Sequence, residues 1–349
     1  QLPYISEQDE VYANDNEVRL LKVINGDVDY KAQSLQLAAA PLLLENQEKG
    51  NYTVQLNPDI ASPTLAFNVT SEDPAKRAVF SDVRFRRAMS VALDRNQINE
   101  VAFYGQGMPL QYTGFSPMPD FMPGDLEQAY AQYDASMANS LLDEVGMSDT
   151  DGDGFRELPN GDKLVLNLQF ATQGAPGELA QLVAQNWSDV GVQTTVKEVT
   201  PDEYRSAQSS NNLDVLIWRK GQPLALHLGD NTYWVPPFDG YFDIRTGMLW
   251  AEYIESGGSA GVEPPAWVND MISDINAFQS SPTGSSEQNA LAIKMAQKMV
   301  DEMLFIGTVR ALAPLVHNND LKNMTQFKTT SYEYYRTFPY LPAQWWLDE

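Results

Sequence analysis

The sequence predicts an α/β protein. Three observations support this: helical and strand patterns alternate from Ala135 to Lys220, Gly and Pro sit between them, and 43% of the 349 residues are hydrophobic. Alternation of that kind builds layers of helix on a largely parallel sheet. The length is enough to bury a substantial core in one large domain or two.

Each element can be justified in order. EVRLLKVINGDVDY, residues 17–30, reads as a strand or short helix, a Gly turn and a short strand. Residues 33–49 are helical in character, with Pro41 expected to split them. NYTVQLNPDIASPTLAFNVT alternates and breaks at prolines, as strands do. Asp82 is placed to cap one helix running from Val83 to a stop at Gly105. A long Pro/Gly/Met loop follows, GQGMPLQYTGFSPMPDFMPGD, and loops of that length are often functional. DASMANSLLDEVGM is a helix that ends near Gly146, and KLVLNLQFAT is a strand. APGELAQLVAQNWSDVGVQTTVKEVT is a helix, a turn at Gly191 and a strand. PDEYRSAQSS is a helix with Pro201 in its first turn, and LDVLIWRK is a strand. Residues 221–267 show little periodicity, the helices VNDMISDINAFQ and SEQNALAIKMAQKMVDEML follow, and FIGTVRALAPLVHNND returns to strand.

Composition excludes several functions. Lys and Arg number 23 against 47 Asp and Glu, a net charge of −24. Such a polyanion repels nucleic acid and anionic membranes. The absence of cysteine excludes disulfides, thiol catalysis and thiolate metal sites. No apolar run approaches the roughly 20 residues of a membrane span. The two histidines, His227 and His317, have no metal-ligand spacing, and DPAKR at 73–77 lacks the glycines of a phosphate loop.

SDTDGDGFRELPNGD, residues 148–162, looks like a calcium loop. With Asp149 as position 1, acids fall at positions 3 and 5 and Gly154 at 6, but position 12 is Asn160 and the Glu is at position 9. An EF-hand needs a bidentate Glu at 12 and a second helix, whereas the next segment reads as a strand. Two readings remain: a weak structural calcium site made by Asp149, Asp151, Asp153, the Phe155 carbonyl and Glu157, or a metal-free Gly/Asp turn.

FSDVRFRRAMSVALDRNQINEVAFYGQG resembles a well-marked segment of the extracellular solute-binding proteins of ABC importers, of the oligopeptide/dipeptide-binding type called family 5. GDVDY, ASPTLAFNVT, ANSLLDEVGMSDTDGDGFRELPNGDKLVLNLQF, NWSDVGVQTTVKEV and LDVLIW match that family in the right order. GGSAGVEPPAWVNDM and LFIGTVRALAPLVHNNDLKNM resemble its longer branch, often linked to oligosaccharide uptake. The resemblance implies a two-lobed periplasmic-binding-protein fold whose chain crosses between lobes twice. It implies a partial first lobe at 1–67, a second lobe at 68–306 and a return segment at 307–349. Family members are considerably longer, so an N-terminal portion is expected to be missing. It further implies a periplasmic or extracellular monomer that captures an oligosaccharide or oligopeptide and delivers it to an ABC permease, with no cofactor beyond a possible calcium ion.

In open α/β sheets, ligands bind beyond the carboxyl ends of strands. LDVLIW ends at Trp218, and Arg219 follows; an aromatic face with a planar polar group suits a sugar ring. The aromatic-rich stretch after it adds Tyr233, Trp234, Phe238, Arg245 and Trp250 as candidate contacts, with His227, Asp243, Gln173, Phe115 and Ser116 behind them. An enzyme is the alternative, chiefly a glycoside hydrolase with paired carboxylates, but no local motif singles out a pair. A ligand-presenting sensory protein is a third reading.

Overall fold

A computed structural model describes residues 2–13, 15–32, 35–229, 234, 246–324, 329 and 341–348. The chain divides into two compact units, residues 1–61 with 310–349, and residues 62–309. The strand ASPTLAF therefore belongs to the second unit, because Ser62–Phe67 is hydrogen-bonded inside that unit's sheet. The chain passes from one unit to the other between Ala61 and Ser62 and returns between Val309 and Arg310.

The first unit holds helices α1 (Asn16–Ile24), α2 (Ala40–Glu45) and α3 (Gln47–Gly50) and strands β1 (Tyr30–Lys31) and β2 (Tyr52–Pro58). A 3-10 turn at Leu37–Ala39 precedes α2, and Pro41 sits in the first turn of α2, where its fixed φ and missing N–H are favoured, so the helical stretch is divided there. Val23, Ile24, Leu43, Tyr52 and Val316 form a small core. Gly26 is obligatory there: its φ is +79°, and a Cβ would lie 2.4 Å from the Gly50 carbonyl oxygen.

The second unit begins with β3 (Ser62–Phe67), then helices α4 (Pro74–Ser81), α5 (Val83–Val91) and α6 (Arg95–Phe103) and the short strand β4 (Met108–Pro109). It continues through α7 (Ala135–Val145), β5 (Leu166–Phe170), α8 (Gly177–Asp189), β6 (Thr194–Glu198), α9 (Pro201–Ser209) and β7 (Val215–Lys220). Helices α10 (Met248–Glu255), α11 (Ala266–Ser280) and α12 (Ser286–Glu302) and strands β8 (Ile306–Gly307) and β9 (Val309–Arg310) follow. Strand β10 (Leu312–Asn318) returns to the first unit, between β1 and β2. The second unit's sheet has the order β6-β5-β7-β3-β8. Strands β5, β6 and β7 are parallel, and β3 runs antiparallel to β7 and β8. Every residue of β3 is buried, as befits a strand covered on both faces.

The single helix expected from Val83 to Gly105 is two helices. Asp82 caps the first, accepting from the Arg84 N–H at 2.9 Å. The helix breaks at 92–94, and Asp94 caps the second by accepting from the Gln97 N–H at 3.0 Å. The break turns Arg95 inward, where it is 2% exposed. Its guanidinium donates to the carbonyls of Gly307 (3.0 Å), Ser90 (2.9 Å) and Ala131 (3.1 Å), and to Ser90 Oγ (2.8 Å). Arg86 donates to the Glu302 carbonyl at 3.0 and 2.7 Å, and Arg87 to the Asp301 carbonyl at 2.8 Å. These guanidinium groups satisfy the orphan carbonyls at the end of α12. Burial pulls Arg86 down to about 10 and Arg95 to about 9, so both stay charged at neutral pH. Behind them Phe67, Phe80, Phe85 and Trp187 pack with ring centroids 5.0–5.8 Å apart, and the Trp187 indole donates to the Met89 carbonyl.

Candidate functional site

Because β5, β6 and β7 are parallel, their carboxyl ends, Phe170, Glu198 and Lys220, lie along one edge of the sheet. Ser62 pairs with Lys220 and Thr64 with Trp218, so the chain enters the second unit at this same edge. It also leaves there, since Gly307 pairs with Thr64. Thr308 Oγ1 donates to the Pro63 carbonyl at 2.6 Å and ties the two crossing segments together.

Trp218 and Arg219, both partly exposed, sit at the end of β7 on this edge. Trp218 shares a face with Leu216, and both pack on the cluster of Val199, Tyr204 and Leu213. The Tyr204 ring centroid is 4.8 Å from that of Trp218. Successive strand residues point to opposite faces, so Arg219 projects away from the Trp218 side. The two do not form a one-sided aromatic–polar pair, and a ligand can meet both only across the strand end. The next residue, Lys220, is 1% exposed, and its ammonium lies 4.4 Å above the Phe305 ring.

The aromatic stretch is placed differently. Trp234 is 1% exposed, with its ring centroid 5.0 Å from Phe115 and 4.7 Å from His227. Trp250 packs edge-on to Trp267 in the core formed with α11 and α12. His227 and Phe115 are buried, and His227 Nε2 lies 3.0 Å from the Gly114 carbonyl, so the long loop is fastened to this core. Ser116 is buried, and its N–H donates to the Gln222 carbonyl at 2.9 Å. Gln173 is exposed on the turn after β5. Tyr233, Phe238, Asp243 and Arg245 lie outside the described residues. Sequence reasoning missed Gly174: a Cβ there would lie 2.6 Å from Trp218 Cε3. Only a glycine in a loop beyond a strand end hinted at such a close approach.

The acidic loop brings the carboxylates of Asp149, Asp151, Asp153 and Glu157 within 4.8 Å of one another. Lys163 reaches Asp151 and Asp153, both at 2.7 Å. Its hydrogen bonds raise the Lys163 ammonium and hold Asp153 below the usual carboxylate range. Asp149 accepts from the N–H groups of Gly152 (2.7 Å) and Gly154 (2.9 Å), and Glu157 from the Thr150 N–H and hydroxyl. The Phe155 N–H donates to Asp153 at 2.9 Å. Bridges Ser148–Glu157 and Glu157–Lys163 close the loop as a turn leading to β5, with no second helix, so it is not an EF-hand.

The sequence profile of the bacterial extracellular solute-binding proteins, family 5 middle region, matches residues 1–230. The periplasmic alpha-galactoside-binding protein of Rhizobium meliloti is 23% identical over 259 residues, covering 72% of this chain and 35% of that protein. Among solved structures, an oligopeptide-binding protein OppA superposes with a TM-score of 0.74 at 25% identity, covering all of this chain and 57% of the other. The periplasmic binding protein MelB of Agrobacterium fabrum, solved with stachyose, superposes with a TM-score of 0.73 at 17% identity, covering 95% of this chain and 50% of the other. The chain thus spans about a third of the curated relative and about half of the solved relatives.

Proposed function

The chain belongs to family 5 of the bacterial extracellular solute-binding proteins, and from that premise we propose that it is part of the substrate-binding component of an ABC importer, with an oligosaccharide as its ligand. The ligand is captured as the lobes of the whole protein close about their hinge and is handed to a membrane permease. The protein works outside the cytoplasmic membrane as a monomer and performs no chemistry. The observation that supports this most is the partly exposed Trp218 indole on the carboxyl edge of β5 and β7, the edge where the chain also crosses between units. An indole offers a flat apolar face to the C–H face of a sugar ring. Arg219 meets the ligand across the strand end, and Tyr233, Phe238 and Arg245 are proposed as further contacts. Trp234 and Trp250 are buried in the core and are not proposed as ligand contacts. A relative named for alpha-galactosides supports the sugar reading, and the oligopeptide-binding relative at 25% identity makes a peptide the second reading that a titration decides.

Calorimetric titration of the protein with galactosyl and mannosyl oligosaccharides and with peptides of several lengths tests this. Binding of one saccharide class, with no release of product from a chromogenic glycoside, is the expected result. Peptide binding without saccharide binding refutes the ligand class, and glycoside turnover refutes the non-enzymatic reading.

For the acidic loop we propose a weak structural calcium position, in which the ion competes with the Lys163 ammonium for Asp151 and Asp153. Affinity in the range of about 10⁻⁴–10⁻³ M fits exposed ligands that already have a cation partner. Calcium that leaves the melting temperature of both the wild type and Lys163→Gln unchanged refutes it.

A further inference from the structure

The turn after β5 fixes the Trp218 indole from below. Gly174 is buried, its N–H donates to the Ala171 carbonyl at 2.8 Å, and the Ala175 N–H donates to the same carbonyl at 3.1 Å. These bonds close residues 171–175 into a tight turn. A Cβ added at Gly174 would lie 2.6 Å from Trp218 Cε3, 3.1 Å from Cδ2 and 3.3 Å from its Cα. The glycine backbone therefore lies directly against both the indole and its main chain. Tyr204 closes the ring from α9, with its centroid 4.8 Å away and the planes inclined at 42°. Thr64 Oγ1 donates to the Trp218 carbonyl at 3.2 Å and fixes the strand end. The indole is thus held by a turn and a ring, and its main chain by the neighbouring strand. Gln173, on the same turn, is exposed and stands one residue before Gly174.

From this we infer that Gly174 is a specificity-determining residue, which makes the 171–175 turn the seat of a saccharide subsite, with the Trp218 indole as its platform and the Gln173 amide as its hydroxyl partner. The inference rests on the oligosaccharide reading above and goes beyond it by naming what sets the platform. A sugar ring stacks only on a face held at one tilt, because its C–H groups present a fixed plane. A peptide, held mainly by its main chain, tolerates a displaced indole. Any side chain at 174 lifts the indole off its seat, and the clash is with ring and backbone atoms, not with a mobile tip. Gly174 itself touches no ligand and acts through Trp218.

The test uses Gly174→Ala, Gln173→Ala and the double variant Gly174→Ala/Trp218→Phe. The seven tryptophans are replaced by 5-fluorotryptophan for fluorine NMR, and the Trp218 signal is assigned by its loss in Trp218→Phe. The expected result is a displaced Trp218 signal in Gly174→Ala. Saccharide binding should be about tenfold weaker, equivalent to about 1.4 kcal/mol, since an aromatic platform contributes about that much. Gln173→Ala should weaken saccharide binding without moving the Trp218 signal. The double variant removes the Cε3 atom that meets the added methyl most closely, and should regain part of the lost melting temperature without regaining the affinity. An unmoved Trp218 signal in Gly174→Ala overturns the seat, and a moved signal with unchanged saccharide affinity overturns the specificity role. A wild-type protein that binds no saccharide overturns the ligand reading first, and that outcome is visible before any variant is made.

Discussion

Gly307→Ala isolates how the return crossing is held. Gly307 pairs with Thr64 in the sheet, two residues before the chain leaves the second unit. A Cβ there would lie 2.5 Å from the Tyr112 nitrogen, 2.6 Å from the Leu110 oxygen and 2.7 Å from the Gln111 carbonyl carbon. All three are backbone atoms, so no side chain can swing aside, and β8 must move by several tenths of an ångström. Three bonds depend on its present position. The Gly307 N–H donates to Gln111 Oε1 at 2.5 Å, Arg95 Nε donates to the Gly307 carbonyl at 3.0 Å, and the Leu110 N–H donates to the Thr308 carbonyl at 3.1 Å. Overpacking of this kind costs about 1–3 kcal/mol. Each weakened buried bond adds about 1 kcal/mol, and the Arg95 cation loses an acceptor it cannot replace with water. The sum is about 5 kcal/mol. With a urea slope of about 3 kcal/mol per molar for a unit of this size, the midpoint falls by about 1.7 M. Urea unfolding followed by circular dichroism measures it, with Gly124→Ala as the matched control, because no atom lies within 4 Å of a Cβ there. The control should be neutral or slightly stabilising. A Gly307→Ala midpoint within about 0.3 M of the control, with the same slope, refutes the reasoning.

Three other outcomes follow from the same structure. The Arg84 hydrogen bond holds the Asp82 carboxyl below its usual 3.8. A depressed carboxylate stabilises the fold above its unfolded value and loses that contribution as pH falls through the folded one. Asp82→Ala should therefore cost about 1 kcal/mol at neutral pH, the worth of a helix cap, and progressively less below about pH 4. An equal cost at both pH values in urea titrations contradicts the charge role. Trp187→Ala removes a fully buried ring and its bond to Met89, and should cost about 3–5 kcal/mol, measured by urea unfolding; a loss under about 1 kcal/mol refutes its place at the centre of the aromatic core. The net charge of −24 repels itself, so the melting temperature should rise between about 0.01 M and about 0.5 M sodium chloride, and a fall over that range counts against charge repulsion as a cost of folding.

Much of the architecture was legible because its signals are local. The cap at Asp82, Pro201 in the first turn of α9, the stop at Gly146 with φ +90° and the turn at Gly191 with φ +83° depend on a few adjacent residues, and each stands where the pattern put it. The alternation of helix and strand from Ala135 to Lys220 holds in the fold. The break after Val91 was not legible, because the apolar spacing runs through it. The second helix starts at the Asp94 cap, and the break turns Arg95 inward to reach Gly307, 212 residues away. The candidate site was legible only as an edge: β7 ends at Trp218, Arg219 and Lys220, and the first two looked available in the sequence. Strand alternation separates Trp218 from Arg219, and Phe305, 85 positions further on, covers Lys220. Trp234 and Trp250 looked like surface aromatics because their segment has no period, yet they are buried against α11 and α12. A stretch without periodicity gives no sign of which face it buries.

By itself, then, the sequence determined most of the elements, the α/β class, the family pattern and the exclusion of thiol chemistry, since each rests on residue type or near spacing. The tertiary structure alone decided the strand order β6-β5-β7-β3-β8, the edge where both crossings lie, and which aromatics stay exposed. It also decided that a glycine at 174 seats the tryptophan at 218. Those facts depend on contacts between residues tens to hundreds of positions apart, and side-chain volume at such a contact has no trace in local sequence.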